Sequence, residues 1–526
     1  MSDAAPDNKP VGLLRSGATV SVMTMLSRVL GLARDILFAN LLGVSAVTDA
    51  FFVAFRIPNF LRRLFAEGAF SQAFIPVLSE YRAKASLAEV QLLVNAVSGT
   101  LGLILMLMTA IAVVGAPVIT AVFAPGFVGN DELFALTSRM LQITFPYLLL
   151  ISLTAFASAV LNSYGRFAIP AFTPVWLNIC LMAGVVLGVR YSAQPVLVLA
   201  WSVLLAGAVQ LAFQMPFLAR ISLLPRPRAD WQHPGVKRVL TLMIPAMFGV
   251  SVSQINLLLD TMLASLLPTG SISWLYYSDR LTELPLGVFG IAIATVVLPS
   301  LSRTHATQSA DVFGDTLAWG VRGVMLIALP ATAALFLLSE PIIATLFQYH
   351  RTTPHDVVMA GWSLRAYTLG LTAFMLVKVL APGFYARQDT RTPVGIGIRA
   401  MIANMVMNLL FVVPLHYCFQ LGHMGLALAT SAAAFLNAGL LWKRLREQGV
   451  WRWPVQYRGS VVRMAAVTLL MAAVILWMTP AMEQWFTWDW HHRVARLLGI
   501  CVAGVLVYFA GLRLAGFRLT DFRRHA

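Results

Sequence analysis

Long apolar runs, each ending at a short polar segment, follow one another along almost the whole chain. The hydrocarbon core of a bilayer is about 30 Å thick, so a helix crossing it needs about 20 mostly apolar residues. By that measure the pattern predicts fourteen transmembrane helices, at 16–43, 48–80, 91–124, 133–162, 168–189, 195–218, 237–267, 272–302, 315–338, 357–386, 393–414, 422–442, 459–479 and 493–514. The expected fold class is an all-α polytopic membrane protein.

The polar segments alternate in charge. Loops after even-numbered spans carry Arg82 and Lys84; Arg166; Arg220, Arg226, Arg228, Lys237 and Arg238; Arg303; Arg387 and Arg391; Lys443, Arg444 and Arg446. The C-terminal tail adds Arg518, Arg523 and Arg524, whereas loops after odd-numbered spans hold little beyond Arg190, Arg351 and Arg493. Positive loops stay cytoplasmic, so both termini and the even loops are expected inside. The N-terminal MSDAAPDNKP has acidic residues and no short apolar region ending at a small-residue cleavage site, and reads as a cytoplasmic lead-in.

The pattern also repeats at an offset of 223 residues. Pro76 falls on Pro299, Pro170 on Pro393, Phe51 on Trp274, and Arg56–Ile57 on Asp279–Arg280. Each repeat holds six spans, an even number, so both copies enter the membrane in the same sense. They should be related by a pseudo-two-fold along the membrane normal, with cargo handled between the halves. The expected organisation is an N-lobe at 11–233, a C-lobe at 234–456, and a C-terminal helix pair with a cytoplasmic tail at 457–526.

Composition agrees with this picture. The chain is 59% hydrophobic and 11% charged, with a mean hydropathy of +0.78, against about 25% charged in soluble domains. A net charge of +16 would suit nucleic acid on a soluble domain, but here the basic residues serve as topology signals. Cys180, Cys418 and Cys501 are far apart, with no metal spacing and no disulfide framework.

Charge inside the spans is the informative departure. The first span holds Arg28, Arg34 and Asp35, with Arg28 and Asp35 seven residues apart on one helical face. The second carries Asp49, Arg56, Arg62, Arg63 and Glu67, and the eighth carries Asp279, Arg280 and Glu283. Asp260, Arg365 and Lys378 are the main exceptions elsewhere. Ionisable residues in spans mark water-filled substrate pathways, and spans two and eight are partners in the repeat. Internal pairing of Arg28 with Asp35, Arg63 with Glu67 and Arg280 with Glu283 is the competing reading. The preference for arginine, whose planar fork matches phosphate oxygens, suits a phosphate-bearing anion. Pro58, Gly68, Pro285, Gly287 and Gly290 supply bends that serve either gating or a static kink. Nothing suggests catalysis: there is no GxxxxGK[ST] loop, HExxH or GxSxG motif, and no soluble stretch to hold a nucleotide-binding domain.

SRVLGLARD (27–35), TDAFFVAFRIPNFLRRLFAEGAFSQAFIPVLSEY (48–81), GVSVSQINLLLDTMLAS (249–265), SWLYYSDRLTELPLGVFGIAIATVVLPSLS (273–302) and KVLAPGFYARQDTRTPV (378–394) strongly resemble the MurJ/MviN family of lipid II flippases, within the multidrug/oligosaccharidyl-lipid/polysaccharide exporter superfamily. The resemblance runs from about residue 11 to the C-terminus. It implies fourteen spans, two six-helix lobes around a V-shaped cavity, and a final helix pair forming a groove for a lipid tail. The cargo would be undecaprenyl-pyrophosphate-linked peptidoglycan precursor, flipped from the inner to the outer leaflet by alternating access for cell wall synthesis. By motif, the substrate-gripping arginines fall on Arg28, Arg34, Arg62 and Arg280, and further polar cavity positions on Asp49, Glu67, Ser273 and Glu283.

Some members of the family also bind sodium. Asp260, Asn404, Asn408 and Thr430 could supply the oxygen ligands a hard cation prefers, with hydrogen-bonded packing as the alternative. No other cofactor is expected. The expected partners are lipid II and membrane lipids, with no nucleic acid, no ATP-binding partner and a monomeric chain in the bacterial inner membrane. Three other functions compete with this reading. A flippase for another polyprenyl-linked glycan would share the arginines but not necessarily these motifs. A cation-coupled drug exporter would want carboxylates and aromatics. A polyprenyl-pyrophosphate phosphatase would need reactive groups clustered at the membrane surface, and none is present.

Overall fold

The structure is a computed structural model that describes residues 10–64, 70–287, 301, 310–451 and 455–517. All regular structure among these residues is helical. The chain divides into two compact units, Met1–Leu266 and Leu267–Ala526.

The first unit contains α1 (Pro10–Leu41), α2 (Ala46–Arg62), α3 (Ser71–Lys84), α4 (Leu87–Val114), α5 (Ala116–Phe123), α6 (Asp131–Thr144), α7 (Pro146–Ser163), α8 (Ala168–Tyr191), α9 (Pro195–Arg220) and α10 (Pro234–Ser265). Its core gathers Phe70, Phe74 and Phe156, with ring centroids 5.0–6.1 Å apart, around α3, α4 and α7. The expected lobe boundary at 233/234 lies one helix before the end of this unit, because α10 packs on α2, α3, α4 and α5. Two glycines permit close approaches. A Cβ at Gly99 would lie 2.3 Å from the Arg228 backbone, and one at Gly126 would lie 1.8 Å from Ser265 O.

The second unit contains α11 (Ser271–Pro285), α12 (Ala310–Leu337), α13 (Ser339–Phe347), α14 (Pro354–Leu380), α15 (Pro382–Tyr385), α16 (Arg391–Phe419), α17 (Gly422–Glu447), α18 (Val455–Met478), α19 (Met482–Thr487) and α20 (Trp490–Leu514). The last three form a core with α12 and α13, in which Met471, Ile475, Trp485 and Ile500 are buried.

Helix boundaries recur at the offset read from the sequence. A shift of 223 residues carries Leu87–Val114 onto Ala310–Leu337, starts α13 where α5 starts, and starts α14 and α16 where α6 and α8 start. One difference has a plain cause. Pro146 lacks an N–H and separates α6 from α7, whereas Leu369 stands at the matching position and α14 continues through it.

Ten helices among the described residues are long and apolar enough to cross a membrane. The first, second and seventh expected spans fall on α1, on α2 with α3, and on α10, and the eighth begins on α11 and continues outside the described residues; these helices lie outside that set. These helices carry the intramembrane charges, and α2 and α11 are only 17 and 15 residues long. On α4, the exposed Leu103, Met106, Leu107, Ile111 and Val114 form a stripe at helical spacing. A patch of that kind would promote aggregation in water and is solvated by acyl chains in a bilayer.

Candidate functional site

The charged residues on α1 are not equivalent. Arg34 and Asp35 are 4% and 1% exposed. The Arg34 guanidinium donates to Asp35 Oδ1 through Nε at 2.9 Å and Nη2 at 2.7 Å, and to Asn178 Oδ1 through Nη1 at 3.1 Å. Asn178 Nδ2 in turn donates to Ser27 O at 3.0 Å, so the cluster locks α8 onto α1. The pairing expected between Arg28 and Asp35 is replaced by this one. Arg34 is adjacent in sequence, but its long side chain folds back to reach the carboxylate. Arg28, half-buried, makes no hydrogen bond or ion pair with any described residue.

Along α2, Ser45 caps the N-terminus by accepting from Thr48 N, which sets Asp49, buried, in the first turn at the favourable end of the helix dipole. Arg56 Nη1 donates to Thr261 Oγ1 at 2.9 Å and ties α2 to α10. Arg62 is half-buried, donates to Asn59 Oδ1 at 3.2 Å, and borders a cavity of about 310 Å³ in the first unit. The backbone then widens into a π-helical turn at residues 63–64, and the same widening occurs 223 residues later at 286–287. Such turns concentrate at functional sites because they loosen the regular hydrogen-bond ladder. Glu67, and with it the expected Arg63–Glu67 pair, lies outside the described residues.

On α11 the buried and exposed faces separate cleanly. Ser273 is fully buried, Trp274 Nε1 donates to Asp356 Oδ1 at 3.0 Å, and Ser278 Oγ donates to Ala360 O at 2.8 Å, so this face is pinned to α14. Arg280 and Glu283 are turned outward, with side chains 34% and 43% exposed and 3.1 Å between Nη1 and Oε2. The Arg280 guanidinium lies 5.2 Å from the Tyr276 ring centroid. The expected Arg280–Glu283 pair is thus present.

The expected ion ligands fall in both units. Asp260, on α10 in the first, accepts from Asn256 Nδ2 at 3.3 Å. In the second, Asn404 and Asn408 are buried on α16, and Asn404 Nδ2 lies 3.4 Å from Thr430 Oγ1. Asn404 Oδ1 is buried without a hydrogen-bond partner, so the asparagine and threonine oxygens fit a hard cation.

Other charges flagged by the sequence have structural employment. Arg365 pairs with Glu340 at 2.8 Å and stacks over Trp362. Arg493 is 5% exposed and donates to Ala344 O, Gln348 O and Phe486 O at 3.0, 2.9 and 3.2 Å, closing the C-terminal end of α13 against α20. Lys378 is exposed near the end of α14. In the loop before α16, Thr392 N donates to Asp389 Oδ1 at 3.0 Å, and the Thr392 hydroxyl and N–H hold the Asp389 carboxyl below its ordinary range. Arg56, Glu340 and the Arg493 carbonyl cage were not recognisable as partners in the sequence, because each contact joins helices far apart along the chain.

The family model described as lipid II flippase MurJ matches residues 38–495. A probable lipid II flippase MurJ of Vibrio cholerae is 48% identical over 97% of this chain and 98% of its own length. A lipid II flippase MurJ of Burkholderia cenocepacia is 40% identical over 98% of this chain and all of its own. Among solved structures, lipid II flippase MurJ in an inward closed conformation is 28% identical with a TM-score of 0.78, covering 94% of this chain and 98% of that one.

Proposed function

The chain belongs to the MurJ family of lipid II flippases; it is a multi-pass inner-membrane transporter, not an enzyme, and from that premise we propose which residues grip the cargo. Arg28, Arg62 and Arg280 hold the pyrophosphate of the undecaprenyl-linked precursor. The observation that carries this reading is the division of the arginines by partner. Breaking the buried Arg34–Asp35 pair would cost about 3–5 kcal/mol. An exposed pair such as Arg280–Glu283 contributes only about 0–1 kcal/mol, so phosphate oxygens can displace Glu283 and be held bidentately. Arg28 makes no hydrogen bond or ion pair with any described residue, and Arg62, which donates to the neutral Asn59 oxygen, borders a cavity. Arg34, Asp49 and Ser273 keep the gripping helices in place, while Glu67 and Glu283 compete for the arginines and let the cargo leave.

The cargo moves from inner to outer leaflet by alternating access of two six-helix lobes, 11–233 and 234–456, related by a pseudo-two-fold along the membrane normal. The recurrence of helix boundaries at 223 residues supports this, as do the paired π-turns after Arg62 and Pro285. The full count is fourteen spans, with 457–526 adding the final pair and both termini cytoplasmic. Asn404, Asn408 and Thr430, all in the second unit, would hold a sodium ion, which supplies a fixed positive charge in the membrane.

Depletion in the host, followed by an externally added agent that cleaves lipid II, tests the assignment. Lipid II should become inaccessible, and neither Arg28→Ala nor Arg280→Ala should restore access. Full rescue by both variants would remove the arginines from the mechanism.

A further inference from the structure

The cavity beside Arg62 is built for more than a phosphate. It opens between α3, α7, α8 and α9, entirely within the first unit, and its volume of about 310 Å³ is at the low end for small-molecule pockets. Arg62 is its one charged lining residue among the described residues. Thr154, Ser158, Asn162 and Gln210 supply neutral hydroxyl and amide groups, and Ile75 and Leu177 supply apolar contact.

Gln210 is the telling member. It is 2% exposed, and its Nε2 donates to Thr173 O at 3.2 Å, but its Oε1 has no hydrogen-bond partner. A buried amide oxygen left without a donor is costly, and the cost is relieved when a ligand N–H or O–H arrives. Asn162, at the end of α7, also makes no side-chain hydrogen bond to any described residue. Among the described residues the lining is otherwise neutral and rich in hydrogen-bonding groups. Neutral hydrogen-bonding groups facing an apolar wall suit a sugar ring.

We propose that this cavity is a subsite for the sugar attached directly to the cargo's pyrophosphate, with an N–H or O–H of the ring substituents donated to Gln210 Oε1. The proposal rests on the reading of Arg62 as a phosphate-gripping residue. The volume accommodates one ring, so the rest of the glycan and its peptide remain outside.

The test compares two lipids binding to the purified full-length protein in detergent: lipid II, and undecaprenyl pyrophosphate, which has the same tail and phosphates without the sugar. Gln210→Leu should weaken lipid II binding about tenfold, the worth of one hydrogen bond to a buried group, and leave undecaprenyl pyrophosphate within twofold of wild type. Asn162→Ala, which removes no side-chain hydrogen bond among the described residues, should act in the same direction and carries the test if Gln210→Leu does not fold. Arg62→Ala should weaken both lipids. If Gln210→Leu and Asn162→Ala bind lipid II as wild type does, or weaken both lipids equally, the subsite is overturned while the arginine reading stands. If Arg62→Ala binds both lipids normally, the phosphate assignment fails, and the subsite with it.

Discussion

A guanidinium inside a membrane protein is stable either when oxygen acceptors of the fold saturate it or when it faces a wet cavity. Arg34 is of the first kind, and Arg493 is close to it: three backbone carbonyls accept from its Nη1 and Nη2, although its Nε has no acceptor. Arg493→Ala removes three hydrogen bonds from a charged donor and uncovers the end of α13. It should lower stability by about 3 kcal/mol, read as a fall in Tm of the purified protein. Asp35→Ala is expected to be as damaging, by about 3–5 kcal/mol, because it strands the Arg34 charge. A near-wild-type Tm for Asp35→Ala would mean that Arg34 finds water in the membrane interior. Arg62, which borders a cavity, and Arg280, which is partly exposed, should tolerate Ala in stability and lose transport. From the sequence all of these arginines looked alike, since membership of a class depends on acceptors such as Asn178, 144 residues away.

At the level of helices, end chemistry was legible and helix contacts were not. Thr353 and Asp356 form a capping box that starts α14, a local pattern visible in TTPHD. That Asp356 also accepts from Trp274 on α11 is a tertiary fact. Asp389 does comparable local work before α16, and its depressed carboxyl sets a pH dependence. The folded state binds this proton less readily than the unfolded chain. The stabilisation is therefore present above the unfolded value of about 4 and is lost as pH falls through the lower folded value. Asp389→Ala should reduce Tm at pH 7, and the difference from wild type should close as pH falls below the usual carboxylate range; a gap independent of pH would show that the carboxylate contributes no charge effect. Pro58 and Gly68 read in the sequence as sources of bends in the second span, and the π-helical form at 63–64 is specific to the folded chain.

For the whole molecule, the proposed orientation is the open quantity, and single cysteines can report it. In a background with Cys180, Cys418 and Cys501 replaced, Gly129→Cys should react with a membrane-impermeant maleimide on intact cells, since a Cβ there meets open space. Lys84→Cys, at the exposed C-terminal end of α3, should react only after permeabilisation. The reverse labelling would invert the topology. Apolar runs, basic loops and the 223-residue recurrence are properties of one dimension. The bilayer's thickness and its intolerance of unpaired backbone groups turn them into helices almost regardless of context. The sequence by itself therefore determined a polytopic helical transporter with an arginine-rich interior. Only tertiary structure decided that Arg34 belongs to the fold, that Arg62 faces a cavity, and that Gln210 keeps an unanswered acceptor beside it. The reason is physical: burial and hydrogen-bond partnership are set by neighbours from distant segments, and no local pattern encodes them.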